Sequence, residues 1–231
     1  MLKDKVIVIT GAGSGLGKVM SVLFAQKGAK LILVGRGLDK LERTAKLVRD
    51  IEGYADIFTA DITVYEEVKR LFKFVKAEYY RVDILINNAG VGSFGKLEDL
   101  SLEEIDKMVD TNLKGTIFCT QKALSLMKLE DQGQIVNIIS TAGKRGKAEE
   151  SVYSASKFGV SGLTKSLQQE LKESKIKITG VYVGGMETPF WEGVRDDISA
   201  FMSADNVAEA ILELLDKPKN MNVSEIVIDR N

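Results

Sequence analysis

Few folds accommodate the way this chain begins: residues 5–10 form a continuous apolar, β-branched run that passes directly into Thr10-Gly-Ala-Gly-Ser-Gly-Leu-Gly17. A strand without polar alternation is one buried on both faces, as in a parallel sheet. Helical periodicity then covers residues 18–27, with Gly28 as a C-terminal cap, and a second strand follows over 30–34. Strand, glycine turn, helix and strand make a βαβ unit. The glycines of such a turn let the backbone approach a pyrophosphate, and the amides of the new helix N-terminus favour its negative charge.

The alternation continues to the end. Residues 38–51 read as a helix, 54–59 as a strand, 64–77 as a helix, and 82–86 as a strand ending in Asn87-Asn-Ala-Gly90. Ser101 and Glu104 form a capping box for a helix that runs through Asn112 and Gly115 to about residue 128. Then come a strand over 133–139 that delivers Ser140, a helix over 151–173, a strand over 176–183, an amphipathic helix over 205–215 and an edge strand over 223–228. The pattern predicts a single α/β domain over residues 1–231. It is a Rossmann-type doubly wound sheet of about seven mostly parallel strands with helices on both faces, with ligands at the carboxyl ends of the strands. Residues 184–202 have no clean period and contain Pro189, Phe190 and Trp191, so the stretch at about 185–203 reads as a short substrate lid.

Composition narrows the chemistry. The chain has no histidine, which removes serine–histidine hydrolysis, histidine metal ligation and histidine acid/base catalysis together. One cysteine, Cys119, excludes an internal disulfide and a cysteine-rich zinc site, and no metal is expected. Lys and Arg number 32 against 33 Asp and Glu, so no global field recruits nucleic acid or an anionic membrane. Lys144, Arg145 and Lys147 cluster, yet no aromatic side chain interleaves them. No apolar run approaches the ~20 residues of a membrane helix, and the N-terminus lacks a signal-peptide pattern. A cytoplasmic protein is expected.

Tyr153 and Lys157 stand at i and i+4, on one helix face, so an ammonium can lie beside a phenol. An unperturbed phenol, with a pKa of about 10, is a poor base at neutral pH, and a neighbouring cation draws it toward the working range. A hydroxyl from Ser140, thirteen positions upstream, can hold the oxygen whose proton Tyr153 exchanges. Asn112 is a polar residue inside an apolar helical run and needs a partner.

Thr10-Gly11, Gly15 and Gly17, Asp61, Asn87 to Gly90, Asn112, Ser140, Tyr153, Lys157 and Thr188, in this order, resemble the short-chain dehydrogenase/reductase family over nearly the whole chain. The resemblance implies a nicotinamide-dependent carbonyl reductase or alcohol dehydrogenase. Tyr153 would be the general acid/base, Ser140 would hold the substrate oxygen, Lys157 would bind ribose and lower the Tyr153 pKa, and Asn112 would seat a relay water. Gly11, Ser14, Gly15, Leu16 and Gly17 would cradle the cofactor, with Asp61, Ile62, Asn88, Ala89, Gly90, Met186 and Thr188 along its length. The second strand ends in Gly35-Arg36 with no acidic residue, so Arg36, with Lys40 behind it, is expected to grip a 2′-phosphate and select NADP over NAD. A small carbonyl or alcohol substrate, such as a 3-oxoacyl compound or another small ketone, would meet Met186, Phe190, Trp191, Phe201 and Met202. A homo-oligomer, dimer or tetramer, is implied as well. Val183 stands where the family usually has proline, and the lid is short for the family. The alternative is an NADP-binding sensor or scaffold without turnover, which would have no use for the phenol–ammonium pair.

Overall fold

Strands with no polar face must lie between two layers, and the computed structural model, which describes residues 2–195, 197–218 and 221–230, shows that sandwich. The seven strands are β1 (Val6–Thr10), β2 (Lys30–Gly35), β3 (Tyr54–Thr59), β4 (Ile84–Asn87), β5 (Gly133–Ser140), β6 (Ile176–Val183) and β7 (Glu225–Ile228). They form one sheet in the order β3-β2-β1-β4-β5-β6-β7. Every pairing is parallel, where the sequence predicts a mostly parallel sheet. Ile7 and Ile9 point into a layer with α1 (Gly15–Gln26), α2 (Leu38–Arg49) and α7 (Ala204–Leu215). Val6 and Val8 point into the opposite layer with α3 (Tyr65–Tyr79), α5 (Thr116–Glu130) and α6 (Ser151–Glu170). β1 is flanked by β2 on one side and β4 on the other, so the winding reverses there and a crevice opens at the carboxyl ends of the strands.

Three local departures from the sequence reading have physical causes. The first helix starts at Gly15 rather than at residue 18, because the glycine turn itself supplies the first helical turn, with Ser14 as an extended N-cap. The helix expected as continuous to residue 128 is divided: α4 (Leu102–Val109) carries the Ser101–Glu104 capping box, then Asp110–Gly115 winds as a π-helical turn before α5. Such a turn widens the backbone at one point and swings a side chain out of register, here Asn112. α6 ends at Glu170, three residues early, with Leu171 as its C-cap.

The segment after β6 is strapped at its base by a parallel bridge between Met186 and Met202. The Glu187 amide donates to the Met202 carbonyl at 2.9 Å and the Met202 amide to that of Gly185 at 3.0 Å. Between the straps lies a short 3-10 turn, Pro189–Trp191; Asp196, in the expected lid, is outside the described residues. Among the described residues no helix is long and apolar enough to cross a membrane.

Candidate active site

A cleft of about 790 Å³ lies along the carboxyl edge of the sheet. At one end is the glycine turn. Gly15 has φ +49, a conformation that strains residues bearing a Cβ. Gly17 is set behind the cleft, and a Cβ there would collide with the Gly11 carbonyl oxygen, so only glycine lets α1 approach β1 this closely. Gly11, Ser14, Gly15 and Leu16 line the cleft, and the Ser14 hydroxyl is not spent on capping α1. Arg36 and Lys40 stand at the same end. The Arg36 Nη1 lies 3.8 Å from Asp61 Oδ2, while Asp61 Oδ1 accepts from the Thr63 amide at 2.9 Å and its hydroxyl at 2.7 Å.

Asn88 ties the end of β4 to the glycine turn. Its Nδ2 donates to the Thr10 carbonyl at 2.9 Å, and its amide donates to Thr10 Oγ1 at 3.0 Å. With Ile62, Ala89 and Gly90 it walls the middle of the cleft. Asn87, in the same sequence motif, faces away. Its Nδ2 donates to Thr120 Oγ1 at 2.9 Å and Asn137 Oδ1 at 2.8 Å, a buried clamp between strands and helix.

At the other end β5 delivers Ser140 and α6 delivers Tyr153 and Lys157. The Ser140 hydroxyl accepts from the Ala142 amide at 3.1 Å and lines the cleft with the Tyr153 phenol. Burial pushes that phenol up to about 12; the polar Ser140 hydroxyl opposes the rise and the Glu150 carboxylate adds to it. Burial also brings the Lys157 ammonium down to about 8. Lys157 Nζ donates to the Ile138 carbonyl at 3.2 Å and lies 5.8 Å from the centre of the Tyr153 ring. The expectation that Lys157 draws the phenol downward is therefore not met in this arrangement. The ammonium is aimed at the Ile138 carbonyl rather than the phenolic oxygen, and burial dominates the phenol.

Asn112 does not line the cleft. Its Oδ1 accepts from the Val91 amide at 2.8 Å, and its Nδ2 donates to the Val91 carbonyl at 2.9 Å and to Ser156 Oγ at 3.0 Å. Ser156 in turn donates to the Tyr153 carbonyl at 2.7 Å. The π-helical turn thus braces both the cleft wall and the helix that carries Tyr153. A Cβ on Gly90 would come 3.4 Å from Asn112 Oδ1 and 3.5 Å from Lys157 Nζ, closing the space between them.

Met186 and Thr188 complete the lining below an aromatic cluster. Phe94 meets Tyr153 edge to face at 5.4 Å and stacks on Trp191 at 5.4 Å. Phe190 lies 5.9 Å from Tyr153 and 5.2 Å from Trp191, which in turn contacts Phe201 at 5.2 Å. Phe190, Trp191 and Phe201 were expected here from the lid sequence; Phe94 and Glu150 were not. Phe94 follows Asn87-Asn-Ala-Gly90 by four residues, and its place just past a strand end was the available signal.

The glycine cradle, the uncommitted Ser14 hydroxyl and the length of the cleft suit a dinucleotide, and a sheet that opens its crevice at the switch point makes this a Rossmann-type protein. The family model described as short chain dehydrogenase matches residues 5–199, and the chain belongs to that oxidoreductase family. An uncharacterized oxidoreductase of Staphylococcus aureus (strain N315) is 35% identical over 229 residues, 99% of this chain and 98% of the relative. Among solved structures, a metagenomic short-chain oxidoreductase in complex with NADP superposes with a TM-score of 0.88 at 27% identity, covering 100% of this chain and 98% of the other. Levodione reductase gives 0.90 at 29% identity, with 99% and 97% covered. An alcohol dehydrogenase from the archaeon Thermococcus sibiricus, complexed with 5-hydroxy-NADP, gives 0.91 at 28%, with 98% and 96% covered.

Proposed function

We propose that the protein is an NADP(H)-dependent carbonyl reductase, running as an alcohol dehydrogenase in reverse. The observation that carries this reading is that Ser140, Tyr153 and Lys157 line the same cleft as the glycine cradle. A bound nicotinamide supplies the hydride; the remaining work falls to the chain. Tyr153 gives its phenolic proton to the carbonyl oxygen as negative charge builds there, and Ser140 donates a hydrogen bond that orients the oxygen and stabilises that charge. The buried phenol is protonated at neutral pH, so Tyr153 enters the reduction as the acid. Lys157 holds the ribose hydroxyls. Asn112 positions Val91 and Ser156, and the space opposite Gly90 between it and Lys157 is where a relay water would return a proton.

Gly11, Ser14, Gly15 and Leu16 hold the pyrophosphate, with Gly17 permitting their approach. Asp61, Ile62, Asn88, Ala89 and Gly90 flank the adenosine and ribose, Met186 and Thr188 lie beside the nicotinamide, and Arg36 takes the 2′-phosphate. Two solved relatives bound to NADP-type ligands support that choice of cofactor, and the name of levodione reductase supports a ketone substrate. The protein works in the cytoplasm as one domain under the 185–203 lid, and as a homo-oligomer; Phe158 of α6, 45% exposed, is an apolar side chain that a partner subunit would cover.

The test is NADPH consumption with a panel of diketones and 3-oxoacyl thioesters, in the wild type and in Tyr153→Phe. The variant should lose at least ~10²-fold in kcat with NADPH affinity nearly unchanged. A variant that kept most of its rate would disprove the role of Tyr153. A wild type that bound NADPH and reduced nothing in the panel would favour the sensor reading.

A further inference from the structure

The substrate half of the cleft holds charge that the chemistry above leaves unused. Lys107, Arg145, Lys147, Arg195 and Arg230 line it against Glu150, Glu192 and Asp229, an excess of cations. Two of the carboxylates are taken: Asp229 lies 3.7 Å from Arg145 and Glu150 lies 3.9 Å from Lys147. Among the described residues neither Arg195 nor Arg230 is ion-paired. Asp197, an acid close in sequence whose field reaches Arg195, spends its Oδ1 on the Ser199 amide at 3.0 Å and hydroxyl at 2.7 Å.

The two guanidiniums lie instead over rings. Arg195 Cζ is 5.9 Å from the centre of Trp191 and 5.7 Å from that of Phe201, and Arg230 Cζ is 5.4 Å from Phe201. A ring engages the face of a guanidinium and leaves its in-plane N–H groups for an acceptor. Arg230 spends one of these, at 3.5 Å, on the Ala200 carbonyl. From these cations to the phenol the wall is continuous: Phe201 contacts Trp191, Trp191 contacts Phe94 and Phe190, and both contact Tyr153. A molecule with its carbonyl at Tyr153 therefore lays its body along aromatic rings and brings its far end to free guanidinium donors.

We infer that the substrate is a ketone whose flat apolar body ends in a carboxylate, read by Arg195 and Arg230 at the lip of the lid. The inference rests on the carbonyl-reductase reading for where the carbonyl lies. In the reduction a hydride from NADPH bonds to the carbonyl carbon and the Tyr153 proton to its oxygen, leaving NADP⁺ and an alcohol. The carboxylate undergoes no bond change and serves as a handle. Among the described residues Glu192 is the one cleft carboxylate without an ion-pair partner, and it disfavours placing the handle toward its own side.

Trp191 is the only tryptophan in the chain, so its fluorescence reports occupancy of the lid without turnover. The full-length protein with NADP⁺ is titrated with 4-acetylbenzoate and with its methyl ester, and kcat/KM with NADPH is measured for both. The acid should bind about tenfold or more tightly than the ester, a margin that shrinks with added salt, as a charged contact requires. In Arg195→Gln/Arg230→Gln the acid-to-ester ratio should fall to about one, whereas Arg195→Lys, which keeps the charge but loses the fork, should retain part of it. Equal binding of acid and ester by the wild type, or a preference that survives the double substitution in a variant of unchanged melting temperature, would overturn the inference. Acid preference in fluorescence with no turnover of either ketone would leave the handle standing and remove the reductase reading. Turnover of both without preference would do the reverse.

Discussion

Tyr153 and Lys157 share one water-poor corner, and burial acts on them in opposite senses: it keeps the phenol protonated and makes the ammonium easier to lose. The ammonium is present below about pH 8 and lost above it. Because kcat/KM reports the free enzyme, kcat/KM for NADPH should decline above about pH 8, and Lys157→Met should be slower and lack that break. A wild-type profile flat through the Lys157 range would refute the assignment. Arg36 makes a different case, since its side chain is 60% exposed and only loosely paired to Asp61. Arg36→Leu should raise KM for NADPH by about tenfold, ~1.5 kcal/mol, the low end for a charged hydrogen bond because water already screens it, and change KM for NADH little. Equal weakening toward both cofactors would show that the selector lies elsewhere. At this scale the sequence was informative about which side chains meet, since Ser140, Tyr153 and Lys157 all line the cleft. It misjudged which way Lys157 points, because that depends on the Ile138 carbonyl of β5, distant in sequence from α6.

Glycine has opposite meanings in two helices of this molecule. In α1, a Cβ on Gly17 meets the Gly11 carbonyl oxygen, which belongs to backbone and cannot step aside. In α6, a Cβ on Gly162 meets nothing within 4 Å. Gly17→Ala should therefore destabilise the protein by about 1–3 kcal/mol and abolish NADPH binding. Gly162→Ala should stabilise it by about 0.5–1 kcal/mol, since helix backbone entropy is the main quantity changed. Thermal melts and a cofactor titration check the pair, and a neutral Gly17→Ala would mean that the turn is looser than drawn. Element type was readable from the apolar pattern, as the unbroken run of β1 and the helical period of α3 illustrate. Boundaries were not: the π-helical turn at Asp110–Gly115 leaves the apolar spacing intact while shifting the backbone, so only the awkward Asn112 hinted at it. Phe94 sits in a loop with no period to read, which is why it was missed.

Across the whole molecule, Asp83 fastens the amino-terminal edge of the sheet much as the cleft residues fasten the other. It accepts from Lys5 Nζ at 2.8 Å, the Val6 amide at 2.9 Å and Arg81 Nε at 3.0 Å. Burial alone would raise this carboxyl; the bonds from Lys5, Val6 and Arg81 outweigh it and hold the group below its usual range. A depressed carboxylate contributes stability above its unfolded pKa of about 4 and loses it as pH falls through the lower folded value. Asp83→Asn should cost about 1.5–3 kcal/mol at neutral pH, with the gap to wild type closing in acid. Denaturant melts at both pH values measure this, and a gap that stayed constant would disprove it. The sheet order was legible only as a class, because helical and strand periods do not say which strand lies beside which. That order, with β1 between β2 and β4, carries a consequence for the chain while it is being made. β1 is a central strand, and its second neighbour, Ile84–Asn87, is made more than seventy residues after it. Until then Val6–Thr10, apolar but for Thr10, has one edge unpaired, of the kind that invites mispairing with another nascent chain, so the interval before β4 is made is when this sheet is most open to aggregation.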